Sequence, residues 1–141
     1  MNRTRLKTLT AALLFSALAS AAHARCSLST LAGNYGYFRE GTSSTGPLAS
    51  IGIATYDGRG TIRFSQTTVK NGVQGSDIGD PPDAYGYTLN SNCTGTFFDP
   101  STGDAFAEIV AVDDGKQVDF ISLSPGNTVY GVARKVSDWG N

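Results

Sequence analysis

Short turn sequences, closely spaced, are what most restrict the fold of this chain. Asp57-Gly58-Arg59-Gly60, Asn71-Gly72, Asn90-Ser91-Asn92, Pro100-Ser101-Thr102-Gly103, Asp113-Asp114-Gly115-Lys116 and Pro125-Gly126-Asn127 all carry the residues that tight turns select. The runs between them alternate apolar with polar residues or concentrate β-branched and aromatic ones. Eight read as strands: Asn34–Glu40, Leu48–Tyr56, Thr61–Asn71, Ala84–Leu89, Cys93–Asp99, Ala105–Val112, Gln117–Leu123 and Thr128–Val136. Past residue 24, no run keeps helical apolar spacing without Gly or Pro interrupting it. Connections this short impose antiparallel pairing, because parallel strands need a crossover of about a dozen residues or more. Two connections read as longer and irregular, Gly41 to Gly46 and Gly72 to Asp83. The second ends in Asp80-Pro81-Pro82-Asp83, which no sheet ladder accommodates.

The expected fold is all-β: eight antiparallel strands in meander order, forming one domain over 25–141. Closing the sheet into an up-and-down β-barrel removes both exposed edges and leaves a lumen able to hold one small ligand. A β-sandwich is the alternative, but its Greek-key crossings need longer connections than most of these.

Residues 1–24 read as a cleaved signal peptide. Arg3, Arg5 and Lys7 are its basic start, and Leu9 to Ala22 its apolar stretch. Ala22-His23-Ala24 supplies the small-x-small pattern for cleavage after Ala24. The apolar stretch is shorter than the roughly 20 residues of a stable membrane span. The mature protein is therefore expected to be secreted or periplasmic, with no membrane span. Its eight basic residues against all twelve acids leave a net charge of −4, without the basic footprint of a nucleic-acid binder. The only histidine, His23, leaves with the signal, which excludes Ser-His-Asp and Cys-His nucleophilic mechanisms in their usual form and every His-based metal site.

Cys26 and Cys93, one pair in an oxidising compartment, read as a structural disulfide across 67 positions. Constraining such a loop is worth about 4 kcal/mol in the chain-entropy picture. Asp77, Asp80 and Asp83 offer oxygen ligands for Ca²⁺ but fit no calcium-binding motif, so no metal site is assigned. No P-loop, dinucleotide fingerprint or G-x-S-x-G elbow occurs, and no cofactor is implied.

Gly33-Asn34-Tyr35-Gly36-Tyr37, Ile53-Ala54-Thr55-Tyr56-Asp57-Gly58-Arg59-Gly60, Asn92-Cys93-Thr94-Gly95-Thr96 and Val112-Asp113-Asp114-Gly115-Lys116 form a connected pattern over nearly the whole mature chain. It resembles a group of small, secreted, mostly uncharacterised bacterial proteins with a calycin-like barrel, similar to lipocalins and allene oxide cyclases. The resemblance implies that barrel and no catalytic residue. Cys26-Ser27-Leu28 also resembles the start of avidins, but the tryptophans of a biotin pocket are missing, the sole Trp139 lying in the tail.

Strand alternation sorts the candidate site residues. Tyr35, Tyr37 and Arg39 share one face of the first strand, Tyr85 and Tyr87 one face of the fourth, and Tyr130 and Arg134 one face of the last. Closure of the barrel brings the last strand beside the first, where these side chains could gather around a flat ligand; the alternative is that the tyrosines are core or girdle residues of an ordinary β protein. Glu108 falls on the face of Phe106, Val110 and Val112; if that face is the lumen, its carboxylate could orient a ligand or act as a general acid/base, and if it faces out, it is a solvated surface charge. Asp119 shares its face with Gln117, which points to solvent. Three functions follow: binding of a small apolar or aromatic ligand in the lumen, a cofactor-free cyclase or isomerase using Glu108, or a structural or interaction protein of the cell envelope. Oligomeric state, and whether the chain is an enzyme, are left open by the sequence.

Overall fold

The computed structural model describes residues 25–78 and 84–138; the expected signal peptide, Asp80, Asp83 and Trp139 lie outside the described residues. The strands are β1 (Gly33–Ser43), β2 (Gly46–Tyr56), β3 (Thr61–Lys70), β4 (Val73–Ile78), β5 (Ala84–Tyr87), β6 (Thr94–Phe98), β7 (Ala105–Val112), β8 (Gln117–Ser122) and β9 (Thr128–Ser137). All pairings are antiparallel, in the order β2-β1-β9-β8-β7-β6-β5-β3, and β2 pairs with β3 to close an eight-stranded up-and-down barrel of calycin-like form. No helix among the described residues is long and apolar enough to cross a membrane.

Two expected connections are strand instead. Residues 73–78 of the expected Gly72–Asp83 loop form β4, which pairs with the Ser65–Lys70 part of β3, while Thr61–Arg63 of β3 pairs with β5. Asn71 (φ 50°) and Gly72 (φ 77°) make the left-handed turn that folds β4 back. The segment is too polar and too glycine-rich to announce a strand, and its ladder is templated by β3. Likewise the expected Gly41–Gly46 loop shrinks to Ser44-Thr45, because the β1–β2 ladder runs on to the pair Ser43 and Gly46. The Ser43 hydroxyl donates to the Gly46 carbonyl (2.8 Å), and the Asn127 side chain accepts the Ser44 amide (2.8 Å).

Large and small residues alternate around the lumen. Tyr35 pairs with Ala54, and Tyr37 lies between Gly52 and Ala133. Phe97 pairs with Ala107, and Phe120 with Gly131. At Gly131 the space is fully used, since an added Cβ would lie 2.4 Å from the Phe120 ring and 2.8 Å from the Arg39 Cβ. A barrel of this size leaves just enough room for such filling.

The lower end of the barrel is plugged. A 3₁₀ turn, Leu28–Leu31, lies across it, with Leu31 fully buried and Leu28 against the core. The Cys26–Cys93 disulfide anchors this plug (Cα–Cα 5.0 Å). Two polar contacts add to it, and a third ties the β7–β8 turn to the barrel floor. The Tyr87 hydroxyl donates to the Leu28 carbonyl (2.8 Å), Lys135 Nζ to the Ala32 carbonyl (2.9 Å), and the Tyr35 hydroxyl to the Gly115 carbonyl.

Asp57 shapes the β2–β3 turn beside this plug. Its Oδ1 accepts the amides of Arg59 (2.7 Å) and Thr61 (2.8 Å). Burial pushes its carboxyl pKa up, but the hydrogen bonds from Thr61, Arg59 and Gly60 outweigh that and hold it below its ordinary 3.8. The lowered folded value means the stabilisation is complete above the unfolded pKa and is lost as pH falls through the folded one. Urea unfolding across the acid range is expected to show Asp57→Ala less stable by about 1 kcal/mol at neutral pH, the gap closing on acidification. A pH-independent gap would contradict this role.

Candidate functional site

The lumen side chains form three layers. In the lower one, Tyr35, Tyr56 and Tyr87 are buried, with Tyr56 edge-on to both neighbours at ring distances of 4.9 and 5.2 Å. Tyr87 spends its hydroxyl on the plug and Tyr35 on the Gly115 carbonyl of the β7–β8 turn, so of the candidate ligand residues these two belong to the sealed floor.

The middle layer is an aromatic sheet. Tyr37 meets Phe64 at 5.6 Å and Phe120 at 6.4 Å; Tyr85 meets Phe106 at 5.1 Å and Phe64 at 5.9 Å; Phe97 joins Phe106 and Phe120 at 6.1 and 6.3 Å. Tyr37 and Phe97 are buried, whereas Phe64, Tyr85, Phe106 and Phe120 face the lumen yet remain only half-buried. Above them lies a polar layer. The Tyr37 hydroxyl donates to Gln66 Oε1, Arg39 Nε donates to Ser50 Oγ (3.2 Å), and the Ser50 and Thr68 hydroxyls pair at 2.9 Å.

Three candidate residues stand elsewhere. Register places Tyr130 opposite Glu40 and Arg134 opposite Gly36, so both lie on the outer wall rather than beside Tyr35 and Tyr37; Gly131 and Ala133 take the lumen positions. The Tyr130 hydroxyl donates to Glu40 Oε1 (3.1 Å), and that carboxylate raises the phenol pKa. Glu108 is also outside and exposed, in a shallow groove with Val110, Asp119 and Ile121. Alternation with the buried Ala107 and Ile109 turns it outward, and a bulge takes Phe106 off its face: Phe97 pairs with Ala107 but Phe98 with Ala105, so Phe106 is an extra residue. Phe106 and Ala107 both turn to the lumen, which separates Phe106 from Glu108. The expected Phe106–Glu108 face does not exist, and a luminal acid/base at Glu108 has no geometric basis. Asp119 accepts a hydrogen bond from Gln117 (2.8 Å) on the same outer wall, as their shared face implied.

The lumen thus brings together Tyr37, Arg39 and Tyr85 of the candidates. It adds Phe64, Phe106, Phe120, Ser50, Gln66 and Thr68. Small residues were the available signal: Gly52, Ala54, Ala107, Gly131 and Ala133 mark lumen positions beside large rings. No group of three or more His, Cys, Asp or Glu side chains among the described residues could hold a metal ion. No protein-family model, curated protein or solved structure matches the chain.

The lower layer titrates abnormally. Burial raises the Tyr35 phenol well above its ordinary value and does the same for Tyr56, and it pushes Tyr87 up to about 12. A folded pKa above the unfolded one stabilises the fold below pH about 10 and withdraws that support as pH rises through the folded values. An ultraviolet titration is expected to show these three phenols ionising together with loss of the circular dichroism signal. Their ionisation near pH 10 in a still-folded chain would contradict a sealed floor.

Proposed function

We propose that this chain is a binding barrel for a small, flat, apolar or aromatic molecule seated at the upper end of the lumen. One observation carries this reading: Phe64, Tyr85, Phe106 and Phe120 point inward and are only half-buried, over a floor that is fully buried. Inward-facing rings with solvent access are apolar surface that a ligand can cover, and the polar groups above can fix its orientation. The Cys26–Cys93 bond supports placement in an oxidising compartment, in line with a secreted or periplasmic protein of the bacterial group the sequence resembles. A cyclase or isomerase using Glu108 is the weaker reading, since that carboxylate lies outside the lumen.

An interaction protein working through its outer wall is a second reading. It is favoured by apolar side chains exposed there, with Phe38 at 48% and Ile51 at 68% flanking a groove floored by Gly36. Fluorescence titration with the neutral probe N-phenylnaphthylamine separates the two. Binding is expected to weaken about fivefold in Phe106→Leu, one aromatic contact being worth about 1 kcal/mol. It is expected to stay unchanged in Phe38→Ala. The reverse pattern would move the site to the outer wall, and absence of binding would overturn the lumen reading.

A further inference from the structure

Among the described residues Arg39 is the one luminal cation of the polar layer, and its guanidinium has a single protein partner. It follows Tyr35 and Tyr37 on the inward face of β1 and is half-buried. Among the described residues its only polar contact is the Nε–H to Ser50 Oγ, and no carboxylate pairs with it. Ser50, itself buried, is held by Thr68, so Nε is tethered and the two Nη groups are left as donors. The arginine stem runs past Gly131, where a missing side chain lets it and the Phe120 ring come close together. Both Nη groups stay open to solvent, and with no paired carboxylate among the described residues they can donate to a bound oxyanion.

The lumen reading above needs only a flat apolar body; resting on it, we infer that the body carries a carboxylate. Its ring lies on the half-open layer of Phe64, Phe106 and Phe120, and its two oxygens accept from the Arg39 Nη groups. A planar carboxylate matches the guanidinium fork, and charge-assisted pairs of this kind are the strong ones. Ser50 sets the guanidinium plane and so acts as a positioning residue. The ligand class is a small aromatic monocarboxylate.

Naphthoate and its neutral isostere naphthamide test this on the intact mature chain. Naphthoate is expected to bind at least about tenfold tighter than naphthamide, a typical charge-assisted margin. In Arg39→Gln that ratio is expected to fall to near unity. If the Gln variant does not fold, Arg39→Met keeps the stem beside Gly131 and gives the same readout. Equal affinities in the unmodified chain would overturn the carboxylate and leave the lumen reading standing. A preference that survives loss of Arg39 would also overturn it, by placing the anion elsewhere. Failure of both probes to bind would overturn the lumen reading itself.

Discussion

Filling a narrow closed barrel with rings is the constraint on which the rest of this structure depends. Each large luminal side chain needs a small residue on a neighbouring strand, and the register supplies it: Ala54 to Tyr35, Gly52 and Ala133 to Tyr37, Gly131 to Phe120, Ala107 to Phe97. The barrel tolerates little slippage as a consequence. A shift of one residue would turn the luminal side chains of the slipped strand to the outer wall and break each pairing of a ring with a small residue.

That filling is uneven along the barrel axis. Below, the plug, the disulfide and three buried tyrosines close the lumen, and the phenol hydroxyls of Tyr35 and Tyr87 reach carbonyls of the closing segments. Above, the rings give way to Ser50, Gln66, Thr68 and Arg39, whose hydrogen bonds run across β1, β2 and β3. The proposed site rests on this asymmetry: a buried floor carries an aromatic layer with solvent access, edged by polar groups. Rigid support of this kind would hold the proposed ligand at low cost in ordering the protein.

Much of the fold was legible because its signals are local. Turn residues such as Asn71-Gly72 and strand alternation require no knowledge of partners, and they led to an antiparallel barrel. The Cys26–Cys93 pairing was legible from there being one pair. β4 was not, because Val73–Ile78 pairs through its backbone against β3 and has little apolar pattern of its own. The site was half legible. Tyr37, Arg39 and Tyr85 follow from alternation, but the placement of Tyr130 and Arg134 depends on register between β1 and β9, which is a long-range property. The shared face expected for Phe106 and Glu108 fails at one bulged residue, Phe106, since strict alternation carries no sign of an inserted position. Size complementarity between rings and small residues would have corrected the first error but not the second.

The most direct measurement is where a bound aromatic probe sits. Intermolecular nuclear Overhauser effects from N-phenylnaphthylamine should reach the rings of Phe64, Phe106 and Phe120 and leave the outer-wall side chains silent. Contacts to Phe38, Ile51 and Val132 instead would place the ligand on the outside of the barrel and contradict a lumen site.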